Sequence, residues 1–102
     1  MVGPLVDVPE VFLKRVLLVS DNETAGGVIR GQLVSAGYDV RWAKSAGEAT
    51  TVWQPRYFDV VLVDLRREPD HGQDFVKTIK AKAPDQRVIF LREGRNGHSE
   101  AA

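Results

Sequence analysis

Two aspartates carry the clearest chemical promise in this sequence. Asp21 follows the apolar run Val16-Leu17-Leu18-Val19, inside the turn cluster Ser20-Asp21-Asn22, and Asp64 follows the apolar stretch that ends at Val63. Both runs read as strands buried on two faces, so each aspartate marks the carboxyl end of a strand. In an open parallel sheet, ligands sit beyond those ends, at the topological switch point. If the two strands are neighbours, about 4.8 Å apart, the carboxylates face each other across one crevice. Two close carboxylates repel unless a cation or a proton lies between them, and Mg²⁺ is the natural hard cation for oxygen ligands. Taken singly, Asp21 reads more simply as a helix N-cap and Asp64 as a turn residue. Their coincidence at two strand ends favours a site.

Other chemistries find less support. Gly26-Gly27-Val28-Ile29-Arg30-Gly31 matches neither G-x-G-x-x-G nor G-x-x-x-x-G-K-[ST], so no phosphate cradle is present. Ser20 has no evident histidine partner, and an enzyme built on a nucleophile–base dyad is the least favoured reading. His71 in a loop and His98 near the end lack metal-ligand spacing and are expected at the surface. Trp42 and Trp53 read as packing residues, and Tyr57-Phe58 as core and rim.

The elements that would position the aspartates are legible from composition and period. The 102 residues make one domain, with 14 Lys+Arg against 14 Asp+Glu, 43% apolar residues and no cysteine. That balance disfavours a basic nucleic-acid binder, and the missing cysteines exclude a disulfide scaffold or a zinc ribbon. The longest apolar run is too short to span a bilayer, and Met1-Val2-Gly3-Pro4 does not open a signal peptide, so a soluble cytoplasmic domain is expected.

Residues 1–13 form a leader in which Leu5-Val6-Asp7-Val8 could be a short strand stopped by Pro9, either docked or partly ordered. Arg15–Val19 is the first strand. Glu23–Ala36 is a helix with Gly37 as its left-handed stop; Gly26, Gly27 and Gly31 are read as permitting close packing on the sheet. Asp39–Ala43 is the second strand. Ser45-Ala46-Gly47-Glu48 is a capping box opening a helix to about Gln54, with Ala49, Val52 and Trp53 inward and Pro55 ending the pattern. Asp59–Val63 is the third strand, Arg66–Gly72 a loop, Gln73–Ala83 a helix with Phe75, Val76 and Ile79 on one face, and Arg87–Leu91 the fourth strand. Residues 93–102 read as a flexible tail. Every crossover is helical, which predicts a parallel sheet with right-handed connections.

The segments Arg15–Glu23, Leu33 to Val40, Ala43 to Ala49 and Tyr57–Leu65, followed by Gly72, resemble the receiver domain of two-component response regulators, the CheY-like family. The resemblance covers roughly residues 14–91 and places a receiver-like domain over residues 14–92. It implies a flavodoxin-like parallel α/β sheet of order 2-1-3-4 with three helices. It implies that Asp64 accepts a phosphoryl group from a histidine kinase, that Asp21 and Asp64 hold Mg²⁺, and that the backbone carbonyl of Arg66 completes the protein ligands.

The departures from the family pattern point the same signalling fold toward a different use. Ser20 stands where the family has a second acid, which weakens Mg²⁺ binding. Arg92 stands where a Thr or Ser hydroxyl is usual, and Glu68 replaces a common proline. The family's last helix, strand and helix, with the lysine of the fifth strand, have no counterpart in the sequence. A guanidinium from Arg66, Arg67 or Arg92 could pair with Asp64 and Asp21 in place of a cation; the alternative, a solvated loop with weak surface pairs, is preferred. The expected function is therefore a pseudo-receiver acting through protein–protein contacts. The alternatives are a phosphorylation-competent receiver completed by a partner, and a small nucleotide- or flavin-binding domain. Val88-Ile89-Phe90-Leu91 would be a naked apolar edge, which predicts a homodimer burying that strand, with no nucleic acid or membrane as partner.

Overall fold

A computed structural model describes residues 13–91; the expected leader strand, Arg92, His98 and the tail lie outside the described residues. The elements alternate as β1 (Arg15–Ser20), α1 (Glu23–Ser35), β2 (Asp39–Ala43), α2 (Ala46–Val52), β3 (Val60–Asp64), α3 (Pro69–Lys82) and β4 (Arg87–Phe90). All strand pairs are parallel, and the sheet order is β2-β1-β3-β4. The flavodoxin-like expectation therefore holds. No helix among the described residues is long and apolar enough to cross a membrane.

Strand alternation assigns the two faces. Leu17 and Val19 of β1 and Val61 and Val63 of β3 share a core with Ala49, Trp53, Phe75 and Ile79 from α2, its C-cap and α3. Val16, Leu18 and Ser20 alternate to the other face, where Gly26 of α1 lies against Trp42 and the Ser20 hydroxyl. One helix thus covers one face and two cover the other, as right-handed crossovers on the order β2-β1-β3-β4 require. Of the three glycines of α1, Gly26 alone has a neighbour that a side chain would strike, and Gly27 and Gly31 face open space, against the expectation that all three pack closely on the sheet.

Local chemistry sets the helix ends. Asn22, rather than Asp21, caps α1 by accepting from the Ala25 amide at 2.7 Å. At the other end Gly37 takes φ 97°, and the amides of Gly37 and Tyr38 donate to the carbonyls of Val34 and Leu33, both at 3.0 Å. This Schellman turn satisfies the orphan carbonyls. The Ser45 hydroxyl accepts from Glu48 N at 3.0 Å, while the Glu48 carboxylate accepts from Lys44 N at 2.9 Å. The reciprocal bond of the expected capping box therefore falls one residue early.

Several boundaries differ from the sequence expectation. Helix α3 begins at Pro69 rather than Gln73, because proline's fixed φ and missing N–H suit a first helical position. Gly72, expected in a loop, sits inside that helix in tight packing; a Cβ there would lie 3.1 Å from Leu65 and 3.3 Å from Val63. Helix α2 stops at Val52, since Trp53 turns to extended backbone and buries its ring. Strand β3 runs one residue later than expected, from Val60 to Asp64, while Asp59 instead brackets Arg15: its carboxylate accepts from Arg15 N at 2.7 Å and its own amide donates to Arg15 O at 2.8 Å. Ser20 belongs to β1, not to the turn, and is fully buried.

One buried polar residue ties the far end of the sheet together. The side chain of Gln86 accepts from the Trp53 indole at 2.9 Å and donates to the carbonyls of Phe58 and Arg87, each at 3.2 Å. Lys80 donates to the Gln86 carbonyl at 2.8 Å. A buried amide with all of its groups engaged stabilises one arrangement of α2, the β3 entry and β4.

Candidate functional site

The parallel register sets Ser20 of β1 directly beside Asp64 of β3, at the carboxyl ends of the two central strands. Both are buried, Asp64 at 2% exposure. The Ser20 hydroxyl donates to Asp64 Oδ2 at 3.1 Å. The other carboxylate oxygen, Oδ1, accepts from Arg66 Nε at 3.1 Å, an ion pair whose arginine side chain is 39% exposed. The buried carboxylate thus has a donor on each oxygen, one of them charged, as burial of a carboxylate demands.

Asp21, the residue after β1, reaches across to the loop after β3. Its Oδ1 accepts from Arg66 N at 3.1 Å and its Oδ2 from Arg67 N at 2.9 Å. The two aspartates are joined through one residue. Arg66 meets Asp64 through its side chain and Asp21 through its backbone. The preferred expectation of a merely solvated loop is corrected for Arg66, because its guanidinium engages a buried carboxylate rather than surface charge.

Trp42 supports this corner from β2. Its indole donates to the Ser20 carbonyl at 3.1 Å, and Lys44 stands 4.7 Å over its ring while pairing with Glu23 at 3.1 Å. The two tryptophans do pack, as expected, but Trp42 also fixes the last peptide of β1. Sequence reasoning missed this role and the donor role of Ser20. The alternation Val16, Leu18, Ser20 was the available signal for the second. His71 is exposed as expected, with its ring 2.9 Å from Glu68.

An open cleft of about 400 Å³ lies beside Asp64 and Arg66, walled by Leu65, Pro69, Gln73 and Phe90. The expected cation would draw on Asp21, Asp64 and the Arg66 carbonyl. In the arrangement present these donors do not fit it: a guanidinium occupies Asp64 Oδ1, and both Asp21 oxygens hold backbone amides. Among the described residues no group of three or more His, Cys, Asp or Glu side chains is placed to hold a metal ion.

Comparison with known proteins places this geometry in context. The family model described as the response regulator receiver domain matches residues 16–101, further along the chain than the sequence resemblance reached. The chain is 36% identical over 77 residues to the alginate biosynthesis transcriptional regulatory protein AlgB of Pseudomonas syringae, covering 76% of this chain and 17% of AlgB. It is 30% identical over 78 residues to the photosynthetic apparatus regulatory protein RegA of Cereibacter sphaeroides, covering 76% of this chain and 42% of RegA. The chain therefore spans less than half the length of these relatives. The fold is similar to the non-phosphorylated HemR receiver domain of Leptospira biflexa, with TM-score 0.73, 33% identity, and coverage of 86% of this chain and 71% of that one. It is likewise similar to the receiver domain of NtrC4 from Aquifex aeolicus, with TM-score 0.66, 28% identity, and coverage of 88% and 79%. A model matching most of the chain, on a fold shared with two receiver domains, establishes that the chain belongs to the response regulator receiver domain family.

Proposed function

We propose that this receiver domain works as a pseudo-receiver, a two-component signalling module that acts by binding other proteins and takes up a phosphoryl group weakly or not at all. Receiver domains are signalling modules, generally not enzymes, and they commonly bind Mg²⁺. The observation that supports the reading is the double engagement of Asp64, by Ser20 on one oxygen and Arg66 on the other. An acceptor carboxylate needs a free lone pair and a cation that neutralises the incoming phosphoryl oxygens. Here each oxygen already accepts one donor, the Ser20 hydroxyl or the Arg66 guanidinium, so an incoming phosphoryl group and its cation must compete with both, and Ser20 replaces one of the acids that would hold the cation.

Incubation with acetyl phosphate or beryllofluoride and Mg²⁺ tests the reading. Amide shifts around Asp64 stay unchanged and no phosphoaspartate forms if it is right; saturating shifts centred on Asp64 would overturn it. The phosphorylation-competent reading, with Asp64 as acceptor, draws on one observation, the open cleft beside that carboxylate, which has room for a small phosphodonor. The family match leaves the nucleotide- or flavin-binding alternative without support.

A histidine kinase and a second copy of the chain are the partners this reading takes. Ile89 and Phe90 of β4 are each 44% exposed, and β4 pairs on one side, with β3, among the described residues. An edge of consecutive apolar residues invites strand pairing. In a two-fold pairing of β4 with itself, the lone charge of the strand, Arg87, lies at opposite ends of the two copies and the cations stay apart. A cytoplasmic location accompanies this function.

A further inference from the structure

We infer that Arg66 is the built-in cation of the acidic corner, and that Asp21 is the clamp of the loop after β3 rather than a metal ligand. The inference rests on the pseudo-receiver reading and deepens it by naming what fills the cation's place. Three observations converge. Asp64 is a buried carboxylate, which needs a counter-charge, and Arg66 Nε supplies it at 3.1 Å. Asp21 spends one oxygen on Arg66 N and the other on Arg67 N, so its charge is met by two backbone dipoles of the loop leading into α3. Ser20, in place of a third acid, contributes a donor to Asp64 and no charge. The corner therefore carries two carboxylates, one guanidinium and two amides aimed inward. A divalent cation entering between the acids would meet the guanidinium at Asp64 and would pull Asp21 off the amides that hold the loop.

Arg66 acts here as a positioning residue, joining the two acids through its backbone and its side chain. Removing the guanidinium leaves the buried Asp64 carboxylate without its counter-charge near a second acid, and such a corner attracts a hard cation. The charge, not the shape, of residue 66 should govern whether the corner binds metal.

The experiment is a titration with Mg²⁺, and separately with Mn²⁺, on the full chain without any phosphodonor. The proteins are wild type, Arg66→Ala, Arg66→Lys and the double variant Arg66→Ala with Ser20→Asp. Amide shifts and Mn²⁺ broadening at Ser20, Asp21 and Asp64 are read beside Trp42 fluorescence, which reports on the corner through the indole bond to Ser20. Wild type and Arg66→Lys stay silent at millimolar cation, Arg66→Ala gains a saturable response, and the double variant responds at lower concentration. Thermal melts without cation verify that each variant is folded. Saturable binding by wild type at those three amides, without tightening in Arg66→Ala, would overturn the inference; so would a folded double variant as silent as wild type. Because no phosphodonor is present, either failure stands apart from the phosphorylation test.

Discussion

Ser20 and Asp64 stand as direct register partners on the two central strands, and the hydroxyl of one donates to the carboxylate of the other at 3.1 Å. The bond spans the same β1–β3 pair that holds the sheet together. A change at the functional corner is therefore also a change in the core.

Ser20→Ala should expose that coupling. The substitution leaves Asp64 Oδ2 buried without its donor, and an unmet buried acceptor costs about 1–3 kcal/mol. Urea denaturation of Ser20→Ala against wild type should show a lower midpoint with an unchanged slope. A midpoint equal to wild type would mean that the hydroxyl does not hold the carboxylate.

Two neighbouring glycines should respond in opposite directions. A Cβ at Gly26 would press into the Trp42 ring, standing 2.8 Å from its Cε2 atom, whereas nothing lies within 4 Å of one at Gly27. Gly26→Ala should cost about 1–3 kcal/mol as an overpacked contact and shift the Trp42 emission. Gly27→Ala should stabilise by up to about 1 kcal/mol through helix propensity alone. Equal effects at both sites would refute the close packing of α1 on β2.

Gln86→Leu should destabilise without touching the acidic corner. The substitution keeps volume but strips partners from the Trp53 indole and the Phe58 carbonyl, each a buried polar group worth about 1–3 kcal/mol when orphaned. Thermal unfolding should fall while the amide positions of Ser20 and Asp21 stay fixed. Movement of those amides would show that the two ends of the sheet are coupled.

The β4 edge should set the oligomeric state. Ile89 and Phe90 register beside Leu62 and Val63, so they project to opposite faces of the sheet at its rim. Light scattering on wild type should give a dimer at micromolar concentration, and Ile89→Lys or Phe90→Lys should give a monomer with little loss of stability. A monomeric wild type would end the self-association proposal.

Local pattern carried the secondary structure, because each element announces itself within a few residues. The apolar runs before Asp21 and Asp64, the Ser45 cap and the Gly37 stop all depend on neighbours close in the chain. The resemblance then supplied the strand order, and with it the convergence of the two aspartates. The late start expected for α3 shows where local reading failed: Pro69 looked like loop composition, although proline fits the first turn of a helix.

The chemistry of the corner was decided in three dimensions. The partners of Asp64 are Ser20, 44 residues away, and Arg66, two residues away but able to point to water instead. Asp21 finds its donors 45 and 46 residues along the chain. Sequence alone determined a parallel α/β domain with acids at two adjacent strand ends. Only the packed sheet decided that those acids are held by a hydroxyl, a guanidinium and two amides, because the direction of a side chain and the donors that meet it follow from register and burial, which no local pattern encodes.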